Sequence, residues 1–590
     1  MNDLFPYESP RPGQAELMGA VAEAVKEGRN LAVNAPSGFG KTIAVLVGAL
    51  SVCKRIVWFT RTHRQAERVV EEAKAISSRM QVTALALQSR ASLCPFCHEL
   101  SPDEAAVLCR VRRSSCELYR GFLTSFTIPS PLVLKPSEVY AYCLERGLCP
   151  YYVQLSLASC VNILAVSFFF LSIPLVQRLL QIDKDVVVVF DEAHGLPSSL
   201  SDNESLEVTL RGINQAAQEA EALGLKGLLN FIDALKDLVK EAEERVWRPR
   251  RLAKALQDRS EYPLQVIAEA LIYWGDEVRR EVARKGERPR SHLYSLGRFI
   301  SKLLTCSEEF VVTARPESLQ LVRLSTKAPE LGARCQIYIS GTLDKALLEE
   351  MEVEADFLDL SKYASYLCKT FILSDVTSLY QKRREAAEAY AHYLKLLSKL
   401  PVNLAAFFPS YEFLDAVKRG LRELEKPLFY EEEGMSSLKH EALLTEFKSF
   451  GTRGGALYLG VCGGRASEGV DFPEEELDVV FIAGVPFEEP NEVVQARLSH
   501  YIDKYGEKGY LLAYVMPALR KVAQAVGRAF RRPQDKGVVI LGDHRFKRLI
   551  KMLPSWLRPF KEVSWKERGL LLKEVASHLS LRIEEPIRLE

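Results

Sequence analysis

The sequence predicts an α/β protein with two parallel-sheet units, the first of them interrupted. Short continuous apolar runs at 31–34 and 185–190 have the composition of strands buried on both faces. Helical patterns stand between such runs, so strand and helix alternate as in βαβ units. A second series, at 336–340, 404–408, 456–461, 479–483 and 538–541, repeats the alternation later in the chain. The 590 residues correspond to about four domains at roughly 150 residues each. With 47% hydrophobic and 26% charged residues there is material for several cores, which excludes a mostly disordered chain. The 78 basic and 77 acidic side chains leave a net charge of +1, so a globally basic nucleic-acid binder is excluded. A local basic groove is not.

In order, residues 15–27 form an amphipathic helix, and 31–34 a strand. A glycine-rich turn leads into a helix starting near Lys41, and 55–60 form the next strand. Residues 90–155 break the pattern with cysteines, prolines and arginines. The stretch 147–177 has no charged residue and is long enough to span a membrane. Asn162, its serines and Pro174, with β-branched and aromatic residues at 161–170, point instead to a buried strand between short helices. The opening residues lack the apolar core of a secretory signal, so a cytoplasmic location without membrane attachment is expected. From 203 to 320 the texture changes to charged amphipathic helices, with Leu228, Leu229, Ile232, Leu235 and Val239 on one apolar face.

Ala35-Pro-Ser-Gly-Phe-Gly-Lys-Thr42 lies between a strand and a helix. Gly38 and Gly40 permit the turn that aims backbone N–H groups at phosphate oxygens, and the helix start adds its dipole. Lys41 reaches the β- and γ-phosphates, and the Thr42 hydroxyl ligates Mg²⁺. Asp191-Glu-Ala-His194 ends a buried strand, where an acid can hold that metal. Asp191 is expected on the metal and Glu192 on the attacking water; His194 senses the γ-phosphate or hydrogen-bonds across the unit. Gln524, Arg528 and Arg531 are spaced i, i+4 and i+7, one face if the segment is helical. Arginines so presented stabilise charge on a transferring phosphoryl group from the neighbouring unit.

Taken together, Ala35–Thr42, Thr60-Arg-Thr62, Asp191–His194, Ser340-Gly-Thr-Leu343, Phe407-Phe-Pro-Ser-Tyr411, Gly464-Arg-Ala-Ser-Glu-Gly-Val-Asp-Phe472 and Gln524–Arg531 resemble the motifs of a superfamily 2 helicase of the XPD type. The resemblance runs from Arg11-Pro-Gly-Gln14 to Asp543-His-Arg-Phe546. It implies two RecA-like motor domains, with an iron–sulfur domain and a helical arch inserted in the first. The implied boundaries are 1–88, 156–202 and 321–350 for the first motor, 89–155 for the iron–sulfur domain, 203–320 for the arch and 351–590 for the second motor. It implies 5′→3′ DNA unwinding in repair. Gln14 resembles the adenine-recognition glutamine; Glu468 and Asp471 resemble residues linking nucleotide state to the bound strand. ATP contacts are expected from Gln14, Ser37, Gly38, Phe39, Gly40, Lys41, Thr42, Asp471 and Gln524, and strand contacts from Arg61 and Arg90. Phe39 stands where Thr or Ser is usual, and Gly195 where Asn is usual. The chain resembles the compact archaeal members.

Six of the twelve cysteines fall between Cys94 and Cys149. Clustered cysteines without a secretory signal point to metal rather than disulfides. The family pattern places a 4Fe-4S cluster on Cys94, Cys116 and Cys149, with Cys109 as the second ligand and Cys97 and Cys143 as bystanders. Spacing alone does not separate cluster from zinc, and the Cys94-Pro-Phe-Cys97 pair by itself favours zinc. Arg90, Arg110, Arg112, Arg113 and Arg120, with Tyr119 and Phe122, have the composition of a single-strand groove or of a solvated basic face. Expected partners are ATP, single-stranded and forked DNA, and repair or single-strand-binding proteins, the helicase itself acting as a monomer. Two other readings remain: an RNA-directed translocase of the DEAH class, and an ATP-gated DNA clamp or scaffold subunit.

Overall fold

A computed structural model describes residues 2–130, 132–173, 179–241, 245–315, 317–325, 327–364, 366–464, 476–530 and 535–581. The first sheet has eight strands, all paired in parallel. Their order across the sheet is Asp356–Asp359, Leu31–Asn34, Cys335–Ser340, Val186–Asp191, Arg55–Thr60, Ile163–Ser167, Ala84–Ala86 and Val133–Leu134. Register brings the carboxyl ends level: Asn34 pairs with Ser340, Ile339 with Asp191, and Thr60 with Ser167. The segments after these strands therefore meet at one edge, where open parallel sheets bind ligands.

Alternation along the strands shows why both faces are covered. Val187 and Val189 join one core with Ile56, Trp58 and Val33, while Val186, Val188 and Phe190 join another with Val57 and Phe59. A strand buried on two faces cannot show polar alternation, so it reads as a solid apolar run. Strand Ile163–Ser167 follows helix Pro150–Ala158 within the uncharged stretch. Among the described residues no helix is long and apolar enough to cross a membrane.

The second sheet has seven parallel strands, in the order Leu428–Tyr430, Leu457–Val461, Leu404–Phe408, Val479–Ile482, Lys536–Leu541, Leu367–Leu373 and Phe560–Val563. The first sheet continues past the boundary expected at 350, because Asp356–Asp359 pairs with Leu31–Asn34.

The segment expected to be helical also contains a sheet. It holds the helices Leu210–Ala222, Lys226–Lys240, Pro249–Gln257, Leu264–Arg284 and His292–Thr305, but also a four-stranded antiparallel sheet. That sheet orders Leu206–Thr209, Ser318–Arg323, Phe310–Arg315 and Arg245–Trp247. Phe310–Arg315 and Ser318–Arg323 are neighbours in the chain and pair antiparallel. Leu206–Thr209 and Arg245–Trp247 join them from far earlier as pieces of four and three residues, too short to show a period. The long helix Leu264–Arg284 packs on helix Pro102–Arg112 of the cysteine-rich segment. Glu104 takes Arg288 and Arg290, Arg279 pairs with Asp103, and Arg110 with Asp276.

Candidate nucleotide site and cysteine cluster

The phosphate loop leaves strand Leu31–Asn34 and is tied to the neighbouring strand, with Ala35 N–H donating to the Ser340 carbonyl at 3.0 Å. Gly38 and Gly40 sit at φ +70° and +80°, a region costly for any residue with a Cβ. Helix Lys41–Leu50 starts immediately after, with no acid in its first turn to oppose an anion. Lys41 is folded back, its Nζ donating to the Ala35 and Pro36 carbonyls at 3.2 and 3.3 Å. Thr42 is half-buried at the second helical position. Phe39 turns into the core against Tyr363, so its side chain serves packing while its backbone remains in the loop.

Gln14 is 2% exposed and lies under the loop. Its Nε2 donates to the Phe39 and Gly40 carbonyls at 2.9 and 3.3 Å, and its Oε1 accepts the Arg11 N–H at 2.8 Å. Arg11 reaches the Gly38 carbonyl at 2.9 Å. In this geometry the Gln14 amide is committed to the loop's carbonyls.

Asp191 ends a wholly buried strand, and Glu192 turns out of it at φ +50°, a left-handed conformation rare for a side chain with a Cβ. The kink separates two neighbouring acids. Burial first, and the Glu192 charge second, push the Asp191 carboxyl up, with Lys41 opposing. Burial would also raise Glu192, but the His194 hydrogen bond, Lys41 and Arg528 outweigh it and hold that carboxyl low. His194 Nδ1 meets the Ser340 hydroxyl at 2.7 Å and Glu192 Oε2 at 3.3 Å. Ser340 Oγ lies 3.4 Å from the same carboxylate and accepts the Thr342 N–H at 3.1 Å. His194 thus joins the acids to the Ser340–Thr342 segment.

The opposite wall comes from the second unit. Gln524, Gly527, Arg528 and Phe530 face the loop across a cavity of about 150 Å³, with Lys41, Glu192 and His194 on the near side. Tyr366 and Trp556 complete the wall, and the Tyr366 hydroxyl donates to the Ser37 carbonyl at 3.1 Å. These two aromatics had no signal in the sequence, since 190 positions separate them. The expected single helical face is corrected here. Helix Met516–Val526 ends before Arg528, with Gly527 as its cap, so Gln524 is helical and Arg528 lies in the turn beyond. Both still line the cavity. Arg531, Glu468 and Asp471 lie outside the described residues.

The four expected ligands stand at helix ends or on a helix. Cys94 caps the end of Arg90–Leu93, Cys116 and Cys149 precede Glu117–Ser125 and Pro150–Ala158, and Cys109 lies within Pro102–Arg112. The Cys109 thiol feels charge on Cys94 and Cys116, and that of Cys149 feels Cys94 and Cys109. Cys97 is buried among Ala105, Val107, Leu108 and Ala283, with its thiol on that of Cys94. Cys143 is fully buried with Val139, Leu148 and Val153, on an apolar helix face. Among the described residues, no group of three or more His, Cys, Asp or Glu closes into a metal-holding arrangement. Charge acts between the thiols of Cys94, Cys97, Cys109, Cys116 and Cys149, so this coupling does not separate Cys97 from the four expected ligands. Sulfur ligands suit either iron–sulfur chemistry or zinc.

Arg90 stacks on the Tyr151 ring at 4.2 Å, its Nε buried without a hydrogen-bond partner. It faces the cysteines, its charge acting on Cys94, Cys97 and Cys109. Arg112, Arg113 and Arg120 are exposed, whereas Tyr119, Phe122 and Tyr152 pack on one another. Arg61 lies across Gly195, where an added Cβ would stand 3.2 Å from its Cδ. The glycine in place of Asn therefore leaves the room that Arg61 takes beside the DEAH segment.

The chain is similar to known helicases over most of its length. The DEAD_2 domain matches residues 58–213 and the helicase C-terminal domain residues 393–560. The ATP-dependent DNA helicase XPD of Sulfolobus acidocaldarius is 25% identical over 567 residues, covering 91% of this chain and 96% of that protein. The XPD/RAD3 helicase subunit of general transcription and DNA repair factor IIH from Saccharomyces cerevisiae is 23% identical, covering 94% of this chain and 88% of its own. A solved XPD helicase superposes with a TM-score of 0.71 at 21% identity, over 95% of this chain and 100% of that one. With both helicase domains present and the cleft built between two parallel sheets, the chain belongs to the XPD-type helicases.

Proposed function

We propose that the chain is an ATP-dependent DNA helicase that moves 5′→3′ on single-stranded DNA and parts duplexes during repair. The observation that carries this reading is the composite cleft. Lys41, Glu192 and His194 stand on one parallel-sheet unit, and Gln524 and Arg528 on the other. A nucleotide bound between them is completed by both units, so its hydrolysis alters how they sit together.

In this reading Ser37, Gly38, Phe39 and Gly40 present backbone N–H groups to the phosphates. Lys41 leaves the carbonyls of Ala35 and Pro36 for the β- and γ-phosphates. Thr42 and Asp191 would hold Mg²⁺, whose positive charge would neutralise part of the phosphate charge beside the buried Asp191 carboxylate. Glu192, held ionised beside His194, orients the attacking water and accepts its proton. Arg528 and Arg531 stabilise the transferring phosphoryl group, and Gln524 positions it. Asp471 links the nucleotide to the bound strand. Gln14 acts by holding the loop in shape.

Cys94, Cys109, Cys116 and Cys149 would hold a 4Fe-4S cluster, which supplies a rigid centre for their segment rather than a chemical step. Arg61 and Arg90 contribute to the single-strand path. A DNA duplex with a 5′ single-stranded tail, ATP and Mg²⁺ test the reading directly. Unwinding of that substrate is expected from the parent, but not of a 3′-tailed or an RNA duplex, and none is expected from Lys41→Ala, which should still bind the single strand. ATP hydrolysis without strand separation would favour the clamp, and a preference for RNA the DEAH-type translocase.

A further inference from the structure

The helix that carries Gln524 also carries a buried cation for which the hydrolytic chemistry has no use. Arg520 is 9% exposed and stands one turn before Gln524 on the helix that ends just ahead of Arg528. Its Nη1 donates to Glu350 Oε2 at 3.0 Å and its Nη2 to Asp344 Oδ1 at 3.5 Å. Glu350 is itself 8% exposed, and its Oε1 accepts the Tyr501 hydroxyl at 3.2 Å. Arg520 Nε is buried without a hydrogen-bond partner. Charges placed this far from water are a poor source of stability, so the arrangement calls for another reason.

The reason lies in what the partners are attached to. Arg520 and Tyr501 belong to the second unit. Asp344 and Glu350 begin and end the short helix Lys345–Glu350 after strand Cys335–Ser340 of the first sheet. Asp344 fixes that helix by accepting the Leu347 N–H at 2.6 Å. It stands four residues after Ser340, whose hydroxyl meets His194 and Glu192. The buried pair therefore joins the segment touching the DEAH acids to the helix that carries Gln524 and leads into the turn of Arg528. Two further pairs in the same contact, Lys504 with Glu352 and Lys508 with Glu349, are much more open to solvent and carry little net energy.

We propose that Arg520, through Glu350 and Asp344, is a positioning residue for ATP hydrolysis: it sets where Gln524 and Arg528 stand relative to Glu192. It touches neither nucleotide nor metal. The inference rests on reading the cleft as the ATPase site.

The test uses the full-length protein with saturating single-stranded DNA, measuring kcat, KM for ATP and Tm. The variants are Arg520→Gln, Arg520→Lys, Glu350→Gln and the double variant Arg520→Gln/Glu350→Gln, with Glu352→Gln as an interface control and Lys41→Ala as a cleft control. Arg520→Gln and Glu350→Gln are expected to lower kcat about tenfold or more, with KM within about threefold. The double variant should be no worse than the poorer single one, because both remove the same contact. Arg520→Lys should recover part of the loss, and Glu352→Gln should match the parent. A lowered Tm with unchanged kcat in both single variants would make the pair mere glue and overturn the proposal. If Arg520→Gln does not fold, the near-isosteric Glu350→Gln decides alone. Should Lys41→Ala hydrolyse ATP at the parent rate, it is the cleft reading that fails; a dead Lys41→Ala beside normal Arg520→Gln and Glu350→Gln sinks only this inference.

Discussion

Gln14 separates two ways of using one amide, and its replacement by alanine distinguishes them. In the structure both acceptor carbonyls belong to the phosphate loop, at Phe39 and Gly40, and the amide oxygen takes the Arg11 N–H. Gly40 is so close that a Cβ there would lie 2.3 Å from Gln14 Nε2. Gln14→Ala leaves those two carbonyls without their buried donor. At about 1 kcal/mol for each lost bond the loop is weakened by about 2 kcal/mol, or about 30-fold in nucleotide affinity. Water entering the space would reduce this, so a loss of about 10- to 30-fold is expected. Because the loop contacts phosphates, the factor should be the same for ATP and GTP. Gln14→Glu, with the same shape but no donor, should be at least as damaging. The assay is competition of each nucleotide against a fluorescent analogue, giving four dissociation constants for the parent and Gln14→Ala. Weakening of ATP alone, with GTP untouched, would show that Gln14 reads the adenine base and would refute the loop-support argument.

Two further outcomes are expected. Arg528→Ala, and separately Arg531→Ala, should lower kcat by about 10³ or more with a smaller change in ATP binding, while Arg528→Lys keeps charge but loses the fork; an unchanged kcat would make this segment an ordinary basic surface. Single Cys→Ser variants of the six clustered cysteines should lose iron and strand separation at positions 94, 109, 116 and 149, and keep both at 97 and 143, as iron content and unwinding of a forked duplex will report. Iron lost from Cys97→Ser but kept by Cys109→Ser would move the second ligand to the CxxC pair.

The strands and the phosphate loop were legible because their causes are local. An uninterrupted apolar run such as 186–190 has one stable place, between two covered faces, and Gly38 and Gly40 answer a backbone demand that no other residue meets as well. The positions of Lys41, Asp191 and Glu192 follow from the ends of those strands, and all three stand at the carboxyl edge of the sheet as expected. Other features depend on which distant segments the fold makes neighbours. In the antiparallel sheet at 206–323 only Phe310–Arg315 and Ser318–Arg323 are close in the chain. Leu206–Thr209 and Arg245–Trp247 are brought to them from up to about a hundred residues away and are too short to show a period of their own. The end of the helix at Val526 takes Arg528 off the face that spacing assigned to it. Gln14 has the same residue type whether it reads a base or supports a loop, and only the position of the Phe39 and Gly40 carbonyls separates the two roles. Arg520 looks like any basic residue on an amphipathic helix until Glu350, 170 positions earlier, is found against it in the interior. Sequence determines what each segment can become on its own; desolvation and hydrogen-bond partnership belong to pairs of segments, and those pairs exist only once the chain has folded.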